Sequence, residues 1–378
     1  MVRRESWPSA LLLALATALL LGACRAPTAT TPQPQESEVT TAPSPTASPS
    51  PTPTTEPVPA PDAPLLIGAY WYPWFGLGRQ HWQEGYIGEP VLGEYDSADL
   101  DVIRQQITWA SDHDIDLFVA SWWGQGSKED VILSTKLPGA IESTDFQFAI
   151  LYETPGLLGM EDGHIDLGTD EAQQQLLDDV AYLARTYFSH PNYLRIDGRP
   201  VLVFYLTRAF WGDVQATIDA VRATVAEEIG VPAFVIADEV YWHIAVRQRI
   251  RPFDGITAYN MHTSVAGIAD DFAAKVARKY TSWAAAAEAE GIAFVPNVLP
   301  GFDDTGVRPE ANHPPIPRSE EGFRRQLTDA IDLAHGPARL VMITSWNEWH
   351  EFTSIEPGVS FGTSFLEVVR RVRQETGY

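Results

Sequence analysis

Residues 340–351 read LVMITSWNEWHE, in which an apolar run of strand length passes directly into polar and aromatic residues. The same succession recurs eight times between residues 65 and 378, with longer amphipathic stretches between the runs. Parallel strands that are covered by helices on both faces give this alternation. Eight strand–helix repeats favour a (β/α)8 TIM barrel over an open doubly wound sheet. The segment has some 314 residues, which is a common size for one such domain.

The predicted elements follow this alternation along the chain. The predicted strands cover residues 65–70, 115–121, 146–152, 201–206, 233–238, 255–259, 292–298 and 340–345. The predicted helices cover 98–111, 171–188, 214–228, 270–289, 320–334 and 363–375, with two more inside 128–142 and 240–250. The chain contains no GxGxxG and no GxxxxGK[ST] sequence, which are the usual signs of a dinucleotide or P-loop site.

Composition excludes several classes of function. The 378 residues include 26 Lys+Arg and 50 Asp+Glu, a formal net charge of −24. Binding to nucleic acid requires a basic surface that neutralises phosphates, so nucleic acid is excluded as a main partner. A single Cys excludes intramolecular disulfides, CxxC redox motifs and thiolate zinc cages.

The N-terminal segment is predicted to export and anchor the protein. Residues 1–23 combine Arg3 and Arg4 with a short apolar run, which is typical of a secretory signal peptide. The sequence Leu-Gly-Ala-Cys that ends at Cys24 resembles a bacterial lipobox, whose Cys is lipidated. The alternative is an ordinary signal peptide with an incidental Cys. The lipobox interpretation predicts an extracytoplasmic protein, lipid-anchored to the bacterial cell envelope and touching the membrane only through that lipid.

A tether separates this segment from the folded domain. Residues 24–64 contain 12 Pro and 9 Thr and no aromatic residue, so they bury too little apolar surface to offset the entropy of ordering. We expect a disordered linker, partly of polyproline type. The folded domain is then residues 65–378, and we expect it to be a monomer.

Aromatic and polar residues gather where the predicted strands end. Enzymes with this fold carry their chemistry at the carboxyl ends of the strands. Sugars suit such a surface, because their C–H faces stack on aromatic rings while their hydroxyls need donors and acceptors. Core packing is the alternative for any single ring. The candidate substrate contacts are Tyr70, Tyr72, Trp74, Trp122, Trp123, Glu153, Tyr205, Tyr259, Asn260, Trp346, Asn347 and His350.

Two glutamates on the last predicted loop, Glu348 and Glu351, form the candidate catalytic pair. Glycoside hydrolysis needs one carboxylic acid for the leaving oxygen and a second carboxylate as nucleophile or base. The HExxH zinc motif is incomplete, because Ser354 stands where the second His would be. We therefore predict neither a metal nor another cofactor. The Gly- and Asp-rich loop 300–306 is a candidate rim for distal sugars.

Four blocks resemble one known family. TSWNEWHE at 344–351, followed by FTSIEP, resembles the signature of glycoside hydrolase family 99, the endo-α-mannosidase family, and its relatives among polysaccharide-biosynthesis proteins. AYWYPWFG at 69–76, the segment GEYDSADLDVIRQQITWASDHDIDLFVASWWG at 93–124 and FDGITAY at 253–259 are similar to further blocks of that family. The resemblance spans nearly the whole predicted domain and implies a (β/α)8 barrel.

The resemblance also implies a mechanism. It implies metal-independent cleavage of internal α-mannosidic linkages with retention of configuration. Glu348 matches the residue that acts as a base toward the sugar 2-hydroxyl, which itself attacks the anomeric carbon. Glu351 matches the acid/base for the leaving group. By similarity, pocket residues are Tyr70, Trp122, Tyr205 and Tyr259.

The chain departs from the family pattern beside the second glutamate. The family commonly reads EWHEGTQIEP, whereas this chain has Phe352 for the Gly and Ser354 for the Gln. We expect the bulky ring of Phe352 to narrow a subsite or to change which sugar is admitted. Two other functions stay open on sequence grounds: a non-catalytic carbohydrate-binding lipoprotein, and a polysaccharide-biosynthesis protein related to glycosyltransferases.

Overall fold

A parallel β-barrel forms the centre of the protein, and it closes where Pro296 divides one strand in two. In this computed structural model, which describes residues 64–76, 80–337 and 339–377, one half of the divided strand pairs with each neighbour. Proline has no backbone N–H to donate to a sheet ladder. Its carbonyl still accepts a hydrogen bond from Met342 N at 2.9 Å. Counting the two halves as one strand gives eight barrel strands, which confirms the predicted (β/α)8 class.

Nine of the twelve strands of the described residues form this barrel, in the order β10-β9-β8-β6-β3-β2-β1-β12-β11. The strands are β1 (Leu66–Trp71), β2 (Leu117–Trp122), β3 (Gln147–Tyr152), β4 (Ile165–Asp166), β5 (Arg195–Ile196), β6 (Arg199–Phe204), β7 (Phe210–Trp211), β8 (Phe234–Asp238), β9 (Gly255–Thr257), β10 (Ala293–Val295), β11 (Asn297–Val298) and β12 (Leu340–Ile343). Off the barrel, β4 pairs with β7, and β5 forms an antiparallel hairpin with β6.

Helices cover the outside of the barrel, and capping residues set several of their ends. The helices are α1 (Gln80–Gln83), α2 (Leu100–Ser111), α3 (Lys128–Thr135), α4 (Leu137–Ile141), α5 (Thr154–Leu158), α6 (Asp170–Thr186), α7 (Val214–Ile229), α8 (Arg247–Ile250), α9 (Phe272–Glu290), α10 (Glu320–Leu333) and α11 (Ser364–Thr376). Ser127 and Thr169 accept backbone N–H bonds at the starts of α3 and α6. Gly291 ends α9 in a left-handed conformation that suits glycine.

The two less regular predicted helices differ from the structure. The segment 128–142 forms the two short helices α3 and α4, with Pro at the start of the second. In 240–250 only α8 is helical. Side chains before α8 are engaged with a neighbouring loop instead: Trp242 Nε1 donates to Met261 O at 2.9 Å, and Tyr241 OH donates to His262 O at 2.7 Å. These tertiary contacts outweigh the weak helical preference of the segment.

The predicted signal peptide and the linker up to residue 63 lie outside the described residues, and so does Cys24. Among the residues that the structure does describe, no helix is both long and apolar enough to cross a membrane.

A buried carboxylate ties the loop after β12 to the rest of the barrel. Glu356 is fully buried, and its Oε1 accepts a hydrogen bond from Gln106 Nε2 at 2.7 Å. Its Oε2 accepts from Tyr95 OH and from Trp349 Nε1, each at 2.9 Å. Burial raises the pKa of Glu356 to about 7, and the hydrogen bonds oppose that rise. Since Gln106 lies on α2 and accepts from Trp71 of β1, this carboxylate joins the first strand to the last loop.

We predict that Glu356→Gln lowers the free energy of unfolding by about 1 to 3 kcal/mol. The new amide NH2 would face a donor, because Gln106, Tyr95 and Trp349 all donate to the native carboxylate. Urea unfolding at about pH 6, below the pKa of Glu356, compares two neutral side chains and measures the change. Glu227→Gln on the exposed face of α7 is the matched control. Equal unfolding free energies for Glu356→Gln and the native protein would contradict the prediction.

Candidate active site

The loop after β12 folds back on itself and holds both candidate catalytic glutamates. Ser345 N donates to Thr353 O, and Ile355 N donates to Ser345 O, each at 2.9 Å. The Ser345 hydroxyl also accepts a hydrogen bond from Glu348 N at 2.8 Å. The loop is therefore a compact turn, and the backbone before Glu348 is fixed by a side chain of the same loop.

Glu348 is paired with a protonated histidine. Only 6% of its side chain is exposed, and its Oε1 accepts from the backbone N of His350 and lies 2.9 Å from His350 Nδ1. The other ring nitrogen, Nε2, donates to the carbonyl of His81 at 2.8 Å. Burial lowers the pKa of His350, but the charge of Glu348 and the hydrogen bond to it raise that pKa to about 9. His350 is thus an imidazolium at neutral pH, opposite the Glu348 carboxylate.

Glu351 has a different partner. Its Oε1 accepts a hydrogen bond from Arg308 Nη1 at 2.9 Å, and 14% of its side chain is exposed. Its Oε2 is buried and has no hydrogen-bond partner within the described part of the chain. Burial raises the pKa of Glu351, the Arg308 guanidinium opposes the rise, and the nearby Glu348 adds to it. The net direction is upward, which favours the protonated acid.

Tyr259 lies close to both glutamates and anchors a cluster of phenols. Burial raises its pKa most, and the charges of the two glutamates raise it further, so the phenol stays neutral. The Tyr72 hydroxyl donates to the Tyr259 hydroxyl. Tyr70 and Tyr205 each present a ring edge to Tyr259, with centroids 5.1 Å apart. These four predicted residues are therefore brought together beside the glutamate pair.

Trp74 and its neighbours form an aromatic wall on the same side. The indole of Trp74 tilts against Tyr72 with centroids 4.4 Å apart, and stacks on His81 at 4.9 Å. Its ring also lies 6.4 Å from Trp123 and 5.8 Å from His350. Since Trp74 and Trp123 are both only partly buried, their rings keep some surface available to a ligand.

Glu153 is a third buried carboxyl beside the pair. Its Oε1 accepts a hydrogen bond from the Ser121 hydroxyl at 2.6 Å, and that hydroxyl accepts from Trp123 Nε1 at 2.8 Å. Burial raises the pKa of Glu153 to about 8, Ser121 opposes the rise, and Glu348 adds to it. Glu153 is therefore largely a neutral acid at pH 7, able to donate a hydrogen bond to a sugar.

Two predicted substrate contacts, Trp122 and Trp346, lie in the layer between barrel and helices. Trp122 is fully buried, and its Nε1 donates to Asp130 of α3 at 2.9 Å. Trp346 is also fully buried and packs against Phe118, with centroids 4.9 Å apart. Neighbouring residues of a strand point to opposite faces, so the inward position of Ser121 turns Trp122 outward. The structure does not bring these two rings to the glutamates.

The two predicted amides have local structural partners. Asn347 is fully buried; its Oδ1 accepts from Tyr72 N at 2.8 Å, and its Nδ2 donates to Tyr72 O and Tyr95 OH, each at 3.0 Å. Asn347 thus fixes the loop after β1 against the loop after β12. The Asn260 Oδ1 accepts from His262 N at 2.7 Å, which closes a short turn.

Phe352 stands where the family commonly has glycine, and its backbone adopts a conformation that favours glycine. Its φ angle is +51°, in the left-handed region where glycine is the usual residue. Its ring lies under the guanidinium of Arg318 at 4.5 Å, and Arg318 Nη1 donates to the Phe352 carbonyl at 2.8 Å. The ring thus packs against Arg318 and lies beside Gly88.

The sequence did not predict Arg308, which contacts Glu351, or the residues that hold Arg308 in place. Arg308 Nη1 also donates to Asp304 Oδ2 at 3.1 Å, and His313 Nδ1 lies 2.7 Å from the same oxygen. These residues belong to the long irregular connection between β11 and α10. The Gly- and Asp-rich sequence of 300–306 marked the start of this connection but gave no reason to select Arg308.

One group of potential metal ligands occurs among the described residues. Ligand atoms of His81, Glu84 and His350 lie within 4.8 Å of one another. Both ring nitrogens of His350 already face hydrogen-bond acceptors, so neither offers a free lone pair. The absence of a metal cofactor remains a prediction from the sequence.

Comparison with solved structures supports the fold. A structure titled "Glycoside hydrolase-like protein" has a TM-score of 0.69 at 20% identity and covers 84% of this chain and 97% of its own. The GH99 endo-alpha-mannosidase from Bacteroides thetaiotaomicron has a TM-score of 0.60 at 20% identity, covering 82% of this chain and 96% of its own.

Comparison with known sequences identifies the family. The human "Glycoprotein endo-alpha-1,2-mannosidase-like protein" is 26% identical over 336 residues, covering 78% of this chain and 68% of that protein. The Xenopus laevis "Glycoprotein endo-alpha-1,2-mannosidase" is 23% identical over 290 residues, covering 74% and 60%. The family model described as "Glycosyl hydrolase family 99" matches residues 83–369, more than half of the chain and both glutamates. The chain therefore belongs to glycosyl hydrolase family 99 and is a glycoside hydrolase, as its sequence predicted.

Proposed function

We propose that this enzyme cleaves internal α-mannosidic linkages of a polysaccharide or glycan with retention of configuration. The observation that carries the proposal is the contrast between two glutamates of one loop, one buried and one half-buried. Glu348 faces the protonated ring of His350, whereas Glu351 keeps one carboxyl oxygen without a hydrogen-bond partner among the described residues. Glu348 thus has a cationic partner, whereas burial raises the pKa of Glu351 and favours its acid form, and glycoside hydrolysis requires one carboxylate and one carboxylic acid.

In the first step, Glu348 acts as the base. It accepts the proton of the sugar 2-hydroxyl while that oxygen bonds to the anomeric carbon of the same residue. An attacking group held beside the reacting carbon has a large proximity advantage over an external nucleophile. The backbone N and the ring of His350 both contact Oε1 of Glu348, which leaves the second oxygen to accept the proton of the sugar.

In the same step, Glu351 acts as the acid. Its proton passes to the glycosidic oxygen as the bond from that oxygen to the anomeric carbon breaks, which leaves an anhydro-sugar and a free leaving group. In the second step, Glu351 takes a proton from water as the water attacks the anomeric carbon, and the bond from the 2-oxygen to that carbon breaks. Glu348 returns its proton to the 2-oxygen. Two inversions at one carbon give overall retention.

Neutral donors and aromatic rings would hold the sugars. Burial keeps the hydroxyls of Tyr72 and Tyr259 protonated, and Glu153 is largely neutral at pH 7. Such groups donate hydrogen bonds to sugar hydroxyls without adding charge near the two glutamates. The partly exposed rings of Trp74 and Trp123 offer faces for sugar C–H groups.

The sugar and the endo mode come from the relatives. The human and Xenopus laevis relatives bear the name of an endo-alpha-1,2-mannosidase or of a protein like it. We therefore take an oligosaccharide with an internal α-1,2-mannosidic bond as the test substrate.

We predict that Glu348→Gln and Glu351→Gln each lower kcat/KM on this oligosaccharide by at least about 100-fold. A glycosyl fluoride, whose leaving group needs no proton, should restore the first step for Glu351→Gln but not for Glu348→Gln. Product masses measure the cleavage, and NMR of the first product should show the retained α anomer. Glu227→Gln is the control.

Three outcomes would count against this assignment. Normal turnover by either glutamate variant would remove that residue from the mechanism. Tight binding of glycans by the native protein without any product would favour the non-catalytic carbohydrate-binding alternative. A shift of the melting temperature by a nucleotide sugar would favour the biosynthetic alternative.

His350 gives a prediction about pH. Its pKa is raised from 6.5 to about 9, so its contribution to folding is fully present below pH 6.5 and is lost as pH rises through 9. The unfolding free energy of the native protein, minus that of His350→Gln, should fall between these pH values by up to about 3 kcal/mol. Denaturant unfolding at several pH values measures it. A difference that is constant with pH would show that His350 is neutral in the folded protein.

We also propose that Cys24 carries lipid and anchors the enzyme to the cell envelope. The support is the lipobox-like sequence before it. Cys24→Ala should move the expressed protein from the membrane fraction to the soluble fraction while leaving the activity of the folded domain unchanged. Membrane association that survives Cys24→Ala would contradict the lipid anchor.

A further inference from the structure

The connection between β11 and α10 places a cation directly against the proposed acid. Arg308 Nη1 lies 2.9 Å from Glu351 Oε1, and no other hydrogen bond to this carboxyl occurs among the described residues. We infer that Arg308 is a positioning residue that fixes which oxygen of Glu351 carries the transferable proton. This inference rests on the proposed function, because it assumes that Glu351 is the acid.

The chemistry of the guanidinium sets the position of the proton. An arginine side chain only donates hydrogen bonds and stays protonated at every working pH. Oε1 of Glu351 must therefore present a lone pair to Arg308, and a proton on Oε1 would point at another donor. When Glu351 is neutral, its proton is forced onto Oε2. That oxygen is the one left without a protein partner, so its proton is available to a glycosidic oxygen.

Arg308 is itself held in place. Its Nη1 also donates to Asp304 Oδ2, and only 1% of the Asp304 side chain is exposed. His313 Nδ1 lies 2.7 Å from the same oxygen, which gives Asp304 a second partner. The two loops are also joined by backbone, since Asp303 N donates to the carbonyl of Glu351 at 2.8 Å. Arg308 and Glu351 are thus fixed relative to each other at two places.

The charge of Arg308 matters as the proton leaves. Protonation of the leaving group breaks the Oε2–H bond and turns Glu351 into a carboxylate, whose negative charge develops beside the guanidinium. The other groups that face Glu351 do not supply this charge. Glu348 and Asp304 are acidic and raise its pKa, while Tyr205 and Tyr259 are neutral phenols. Arg308 is therefore the group that stabilises the deprotonated state of Glu351.

The test compares Arg308→Met with Arg308→Lys on two substrates in the native full chain. For the mannosyl oligosaccharide, Arg308→Met should lower kcat/KM about 100-fold, because the proton is no longer directed. For the glycosyl fluoride, kcat/KM should stay within about threefold, since no proton is needed. Arg308→Lys retains a cation that only donates, and it should recover part of the loss. Arg278→Met on the exposed face of α9 is the control.

A pH profile supplies the readout that a purely structural role would not move. The alkaline limb of kcat/KM reports the acid in the free enzyme. Removal of a cation next to a carboxyl should move this limb upward by about 1 to 3 pH units in Arg308→Met. An equal loss on both substrates with an unmoved limb would overturn the inference while leaving the proposed function intact. A native enzyme that cleaves neither substrate would overturn both.

Discussion

The site depends on the burial of a polar loop, which requires hydrogen-bond partners inside the protein for most of its polar groups. Residues 345–356 are almost all buried, although five of them carry charged or imidazole side chains or amides. An unpaired buried polar group costs more than a hydrogen bond returns. At the end of the loop, the Glu356 carboxyl accepts hydrogen bonds from buried donors. At the start of the loop, the Asn347 amide is hydrogen-bonded to the loop after β1. Both reach residues near the first strand, so the loop is positioned by the closure of the barrel.

This constraint explains how two glutamates three residues apart can take the opposite roles that we propose for them. Their sequence environment is nearly the same, and both are withdrawn from water. Burial alone would favour the neutral form of each. His350 supplies charge to Glu348 from within the loop, whereas Arg308 reaches Glu351 from another connection. The imidazolium of His350 lies against one oxygen of Glu348, whereas Glu351 has one oxygen without a hydrogen-bond partner among the described residues.

The fold and the centre of the site could be predicted from the sequence for the same reason. Apolar runs that end in polar residues mark buried parallel strands, and the barrel collects all their carboxyl ends at one face. The structure brings Tyr72, Tyr259 and Glu153, which were selected in this way, close to the glutamates, and their contact with substrate stays a prediction. The same runs carry no two-residue period, because both faces are buried. The sequence therefore could not show that Trp123 faces the site while Trp122 faces α3.

Arg308 could not be predicted from the sequence, for a different physical reason. It belongs to an irregular connection, where no period relates position in the chain to position in space. Asp304 positions Arg308. Its buried carboxylate pairs with the Arg308 guanidinium and so holds that guanidinium beside Glu351. The proposed base and its cation thus come from one loop, whereas the proposed acid and its cation come from two. The acid is consequently the part of the site whose geometry depends on how the connection after β11 packs, and variation in that connection can change proton transfer without touching either glutamate.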